Sequence, residues 1–312
     1  MEAMVGYVQA HKEGILRERI RRGLQWLTRC TLCPRMCRVN RLTGETGTCR
    51  TGRLAVVASY GPHFGEESPL VGRRGSGTIF FSHCNLLCTF CQNYDISHGG
   101  EGVPVTAEQL ADLMVHLQNR GCHNINFVTP SHVIVQILEA LPIAVERGLE
   151  VPLVYNTGGY DRVPALKLLD GVVDIYMPDF KFWSSEVARE LCNAPDYPKR
   201  ARDALVEMHR QVGDLQMDGA GIAQRGLLVR HLVLPHGLAG TGEILHFIAQ
   251  RISPQTYVNL MDQYHPCGSA VGSTRMGRRI TSEEFREALQ MAEKEGLTRL
   301  DQRHKHWLTI EF

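Results

Sequence analysis

The sequence predicts an α/β protein built from parallel βαβ units, and three observations point there. Short apolar, β-branched runs recur between residues 76 and 261, longer helical patterns separate them, and the chemically capable residues gather just past the runs. Such alternation folds as a doubly wound sheet or a partial barrel. Composition agrees. The 312 residues are 43% hydrophobic and 21% charged, which suits a sizeable core and excludes a disordered, coiled-coil or collagen-like chain. Thirty-four Lys and Arg against 33 Asp and Glu leave +1, so neither nucleic acid nor a membrane surface is an expected partner. No apolar run is long enough to span a bilayer. Charges scatter through the first thirty residues, so no secretory segment is expected and a cytoplasmic location is.

In chain order, residues 9–27 place Ile15, Leu16, Ile20, Leu24 and Leu27 at helical spacing among basic residues. A surface helix packed on its own domain is the ordinary reading, and a membrane or nucleic-acid contact the competing one. Residues 30–75 are rich in Gly, Arg and Cys without periodicity, and read as a loop-dominated module that a metal holds together. Strands are expected at Thr78–Ser82, Asn124–Val128, Val151–Tyr155, Val172–Met177, Leu227–Leu234 and Thr256–Met261. Helices are expected near 106–120, 131–147, 161–169, 185–212 and 241–252, with Thr106 and Gln109 forming a capping box. A last amphipathic helix spans 281–295. No GxGxxG follows the first strand and no GxxxxGK[ST] occurs, which weakens nucleotide-fold readings. Three segments result: an N-terminal helix and four-Cys module (1–75), a barrel (76–270) and a helical extension (271–312).

Cysteine carries the chemistry. Ten Cys without a secretion signal are poor disulfide candidates, and clustered cytosolic Cys are more often metal ligands. Cys122, Cys192 and Cys267 are isolated. Cys84, Cys88 and Cys91 follow the first barrel strand with C-x3-C-x2-C spacing, where a parallel α/β fold builds its sites. Three such thiolates can each hold one iron of a [4Fe–4S] cube, leaving the fourth iron open. A zinc knuckle borrowing a distant fourth ligand is the alternative.

This spacing, with Phe90 before the last Cys, resembles the radical S-adenosylmethionine (SAM) enzymes. Within them it resembles the activating enzymes of pyruvate formate-lyase and their uncharacterised relatives, over about residues 76–270. The resemblance implies a partial (βα)6 barrel, a [4Fe–4S] cluster on Cys84, Cys88 and Cys91, and SAM bound to the open iron. One electron, from a donor such as flavodoxin or ferredoxin, then yields methionine and a 5′-deoxyadenosyl radical that takes hydrogen from the substrate.

Further motifs match strand by strand. Val128-Thr129-Pro130-Ser131-His132 stands where that family has Gly-Gly-Glu-Pro, so Thr129 and Ser131 are implied at the amino group although the carboxylate is missing. Tyr155-Asn156-Thr157-Gly158-Gly159 resembles Asp-Thr-Asn-Gly and puts Asn156 at the ribose. Pro178-Asp179-Phe180-Lys181 resembles Asp-Leu-Lys, with Lys181 for the methionyl carboxylate and Asp179 for the ammonium. Val229-Arg230-His231-Leu232-Val233-Leu234-Pro235 resembles Ile-Arg-Tyr-Val-Val-Val-Pro, and His265 stands where a His lies near the adenine. Alone, Asp179 and Lys181 read as a surface ion pair and His231 as a satisfied core His.

Cys30, Cys33, Cys37 and Cys49 are enough to close a second metal site, with zinc and iron–sulfur both open. Three functions remain: activase-like hydrogen abstraction, radical modification of a peptide or small molecule, and a non-catalytic iron–sulfur or zinc protein.

Overall fold

The computed structural model describes residues 5–301, so the outermost residues of the first and third sequence segments, 1–4 and 302–312, lie outside the described residues. Its strands are β1 (Ala55–His63), β2 (Ser76–Phe81), β3 (Val103–Val105), β4 (Ile125–Val128), β5 (Leu153–Thr157), β6 (Ile175–Pro178), β7 (Gln216–Met217), β8 (Ala223–Leu232) and β9 (Tyr257–Met261). The helices are α1 (Gly6–Lys12), α2 (Ile15–Leu27), α3 (Ser68–Val71), α4 (Ala107–Asn119), α5 (Ile134–Glu146), α6 (Val163–Leu166), α7 (Ser185–Cys192), α8 (Tyr197–Val212), α9 (Thr241–Phe247) and α10 (Ser282–Lys294).

Strands β2, β4, β5, β6, β8 and β9 run parallel and neighbour one another in that order. This is the partial barrel that the six apolar runs predicted. Residues 55–63 depart from the expected loop. They form β1, which pairs antiparallel with β2, and β3 extends the same edge beyond it. Helix α4 starts on the expected Thr106–Gln109 capping box. The single helix expected over 185–212 is two, divided at Asn193, whose φ of 46° is left-handed. α5 begins at Ile134, three residues later than expected, because Thr129 to Val133 form a turn that carries site residues. Helix α2 packs on α5, and Gly23 makes that possible: a Cβ there would lie 2.9 Å from Val135 Cγ2. This is the own-domain packing that ordinary amphipathic surface helices show.

Period-two alternation divides the strands between two cores. Val154, Ile175, Met177, Leu228 and Tyr257 point into the barrel and cluster there with Leu70 of α3. Leu153, Tyr155, Tyr176, Leu227, Val229 and Val258 face the surrounding helices in the larger outer core. The next inward positions towards the strands' C-terminal ends turn polar at Asn156, Arg230 and Asn259. No ladder joins β9 to β2. Across that seam Asn259 Nδ2 donates to Glu67 Oε1 at 2.7 Å, and Asn124 Nδ2 donates to the Leu70 carbonyl at 2.9 Å. The short segment 66–71 therefore plugs the open barrel with a carboxylate above and a leucine below.

His231 is fully buried, with Nδ1 2.7 Å from the Phe180 carbonyl and Nε2 3.0 Å from Thr241 Oγ1. It is a satisfied core histidine. Burial holds it neutral down to about pH 4, with Asp179 and Lys181 acting in opposite directions. An unfolded-chain histidine takes its proton near pH 6.5. The unfolded state therefore binds the extra proton between about 6.5 and 4, and stability falls as pH drops through that window, by up to about 1.4 kcal/mol per pH unit. Urea midpoints near pH 7 and pH 5 check this: His231→Gln should lose less between them than the parent, and equal losses would refute the assignment.

Candidate active site

The loop after β2 carries the three predicted cysteines. His83 (φ 68°) and Leu87 (φ 57°) are left-handed, which coils the chain tightly around Cys84 and Cys88. The Leu86 amide donates to Cys84 Sγ at 3.3 Å and the Ser97 hydroxyl to Cys91 Sγ at 3.2 Å. Cys192, isolated in sequence, lies at the end of α7 within hydrogen-bond reach of Cys88. That contact first, and burial second, pushes the Cys88 thiol well up. Burial pushes Cys84 up to about 12 and raises Cys91 as well. Such thiols stay protonated until a cation offsets the cost of their charge.

Past β6, Lys181 Nζ lies 2.5 Å from Asp179 Oδ2, and both side chains are more than four-fifths buried. This is no surface pair. Burial opposes the charge on each, yet Lys181 and Arg230 hold Asp179 below the usual carboxylate range, and Asp179 and the Cys88 thiol raise Lys181. Tyr197, fully buried on α8, fixes the turn. Its hydroxyl lies 3.0 Å from the carbonyls of Asp179 and Gly158 and accepts the Lys181 amide at 2.9 Å. Gly159 lets the β5 and β6 loops touch, since a Cβ there would sit 2.2 Å from the Asp179 carbonyl oxygen.

Arg230 is the hub of the mouth. Its Nε lies 3.3 Å from Glu67 Oε1 and 3.5 Å from Asp179 Oδ1, and its Nη1 3.7 Å from Glu66 Oε2 and 3.5 Å from Asn156 Oδ1. Burial raises the Glu67 carboxyl against the pull of Arg230. Glu67 Oε2, Asp179 Oδ1 and Asn259 Oδ1 are buried without a hydrogen-bond partner. Buried polar atoms left open at a strand-end mouth are what a polar ligand satisfies.

The remaining predicted residues lie on the loops after β4 and β9. Thr129 is left-handed (φ 62°), a conformation that glycine adopts at no steric cost and Thr at a cost of order 1–3 kcal/mol. Its amide donates to the Asn156 carbonyl at 2.8 Å. Ser131 is buried, with its hydroxyl 2.9 Å from Thr157 Oγ1, which in turn donates to Asp161 at 2.6 Å. His265 lies on the loop after β9, its Nδ1 3.2 Å from the Gln263 carbonyl. That loop lies directly on the cysteine loop, where the Ser269 amide donates to the Thr89 carbonyl at 2.9 Å. Gly268 (φ 51°) permits the approach, because a Cβ would meet the Tyr94 ring at 2.6 Å.

A family model for the radical SAM superfamily matches residues 78–214. An uncharacterised protein of Methanocaldococcus jannaschii is 34% identical over 278 residues, which are 86% of this chain and 75% of that protein. The chain belongs to the radical SAM superfamily. The superfamily implies a [4Fe–4S] cluster and SAM, and the donor set fits. Among the described residues no three His, Cys, Asp or Glu close on a single ion position. In a cluster each thiolate takes its own iron, so sulfurs spaced around a cube are the arrangement required. Amide and hydroxyl donors already point at two of the three sulfurs. The radical SAM mouth also holds residues without a sequence signal, namely Glu66, Glu67, Asn259 and Tyr197. Of the groups gathered on Arg230, Asn156 and Asp179 stood in recognised motifs, as Arg230 itself did, and Glu66 and Glu67 did not.

Arg230→Leu should destabilise the protein by about 2–4 kcal/mol, since it strands Glu66, Glu67 and Asp179 together. That is somewhat less than a fully buried pair loses, because a fifth of the arginine side chain reaches solvent. Urea unfolding measures it, and a loss below about 0.5 kcal/mol would show that the mouth does not need its cation.

Proposed function

We propose that the chain is an activating-enzyme-like radical SAM oxidoreductase that abstracts hydrogen from a protein glycine, a peptide or another substrate. The observation that carries this reading is the buried Asp179–Lys181 pair beside Cys88. A methionyl group is itself a zwitterion. Its ammonium replaces Lys181 at Asp179 and its carboxylate replaces Asp179 at Lys181, so charge stays balanced as one internal pair becomes two intermolecular ones. When bound, the cluster and SAM supply the electron transfer and the radical.

The protein's own groups do the positioning. Arg230 keeps Asp179 ionised to receive the ammonium. Asn156 presents an amide at the ribose, able to donate as well as accept. The Thr129–Ser131 turn lies at the amino end. Because the Ser131 hydroxyl is engaged with Thr157, the contribution there is chiefly backbone. His265, on the loop folded over the cysteines, packs against the adenine and excludes water. A flavodoxin- or ferredoxin-type donor supplies the electron in the cytoplasm. The reading divides the chain into the four-Cys module, the barrel and the C-terminal extension at residues 75 and 270.

The test is anaerobic reconstitution with iron and sulfide, reduction in the presence of SAM, and assay for 5′-deoxyadenosine. Replacing Cys84, Cys88 or Cys91 with Ala should abolish the product. Lys181→Ala and Asp179→Ala should each weaken SAM binding by about ten- to a hundredfold, with iron content intact. A triple-Ala chain that still forms 5′-deoxyadenosine overturns the cluster assignment. Unchanged SAM affinity in both charge variants overturns the exchange.

A further inference from the structure

Outside the barrel mouth, Cys30, Cys33, Cys37 and Cys49 all line one small cavity, together with Arg41, His132 and the backbone turn at Gly47. The segment is built to bring them there. The Cys30 amide donates to the Val39 carbonyl and the Arg38 amide returns to the Cys30 carbonyl, each at 2.8 Å, which folds Cys37 back beside Cys30. Met36, Arg38 and Arg50 take left-handed φ, a density of backbone strain that clusters at ligand-holding loops. The Thr48 amide donates to Cys37 Sγ at 3.3 Å, and a Cβ on Gly47 would strike that sulfur at 2.5 Å.

Two side chains in the wall are left incomplete: Arg41 has no counter-charge, and His132 has a ring nitrogen with no hydrogen-bond partner. Arg41 is 1% exposed, the bulkiest fully buried side chain described. Its Nε donates to the Gly52 carbonyl at 3.0 Å and its Nη1 to the His132 carbonyl at 2.8 Å, while Nη2 is buried with no hydrogen-bond partner. Two neutral carbonyls do not compensate a buried guanidinium, which needs a counter-charge. His132, also 1% exposed, has Nε2 3.0 Å from the Ser82 carbonyl. A carbonyl only accepts, so Nε2 carries the proton and buried Nδ1, which has no partner, keeps a free lone pair.

We propose that these four cysteines form a second, thiolate-bound metal centre. Among the described residues no three of these sulfurs close on a single ion position, so one zinc ion would have to draw them together while a [4Fe–4S] cube takes one iron per sulfur. With four thiolates either group carries a net charge of about −2. That is the counter-charge Arg41 lacks. This site is separate from the SAM mouth and does not depend on its assignment, yet it braces the cysteine loop there. Arg35, between Cys33 and Cys37, donates to the carbonyls of Asn85 at 2.8 Å, Leu86 at 3.0 Å and Cys192 at 2.8 Å. His132 holds Ser82, two residues before Cys84. Filling the four-cysteine site fixes the backbone on which the loop of Cys84, Cys88 and Cys91 is built.

The full chain carrying Cys84→Ala, Cys88→Ala and Cys91→Ala isolates the question, because it keeps the N-terminal thiols alone. Purified anaerobically, it should retain either about one zinc per chain or several irons with matching sulfide, and the two results separate the mononuclear from the cluster form. Adding Cys33→Ser and Cys49→Ser should remove that metal. Should that chain fail to fold, Arg41→Gln in the triple-Ala background gives the second readout: metal lost to a chelator about ten- to a hundredfold more readily. A triple-Ala chain with neither zinc nor iron, or metal unaffected by the Cys33 and Cys49 changes, overturns the proposal. With Cys84, Cys88 and Cys91 intact, Cys33→Ser should speed amide exchange over residues 82–86, and unchanged exchange overturns the bracing.

Discussion

One guanidinium sits where the ends of β5, β6 and β8 meet the segment that closes the barrel, and the mouth is arranged around it. Charged groups at a barrel mouth lose much of their hydration, and each alone would cost several kcal/mol. Arg230 spreads one positive charge over Glu66, Glu67 and Asp179, and so allows acidic groups to stand where the inner core would otherwise remain apolar. The consequence extends beyond electrostatics. Glu67 is also the residue that reaches across the unpaired seam to Asn259. Arg230, which after Lys181 keeps Asp179 ionised, is thus also the cation that lets a carboxylate substitute for the missing ladder between β9 and β2.

Closure by a plug and not by a strand pair explains the role of β1. A barrel left open at β2 would expose a strand edge. β1 covers that edge antiparallel, and its continuation delivers residues 66–71 to the seam. The segment that looks from its composition like a loose metal module is therefore structurally continuous with the barrel, through a strand at one end and through Arg35 at the other.

The parallel scaffold was legible because buried strands of a parallel sheet are nearly continuous apolar runs, and Ile125–Val128 or Leu153–Thr157 can hardly be read otherwise. β1 was not. Its Ala-Val-Val-Ala-Ser-Tyr-Gly-Pro-His sequence carries Gly61 and Pro62, and most of its residues remain partly or fully exposed, as an added outer strand permits. β3, three residues long, has too little sequence for any period to show. In the site, residues in contiguous motifs were readable: Cys84, Cys88, Cys91, Asn156, Asp179 and Lys181. Glu67 and Asn259 are 192 residues apart, and no local pattern announces a hydrogen bond between them. Cys192 looks isolated in the sequence for the same reason, since only the packing of α7 brings it to Cys88.

A parallel distinction separates what each cysteine set asks of its surroundings. Around Cys84, Cys88 and Cys91 the compensating cation is Lys181, which is shared with Asp179 and which the proposed function turns to an incoming carboxylate. Around Cys30, Cys33, Cys37 and Cys49 it is Arg41, fixed by two backbone carbonyls and buried beyond exchange. A cation that must change partners is best a lysine, a flexible point charge, and one that must stay is best an arginine, whose planar fork holds several acceptors at once. On the two proposals made above, the cations differ as their sites would, with a shared lysine where a ligand is to come and go and an anchored arginine where a centre, once filled, is to stay.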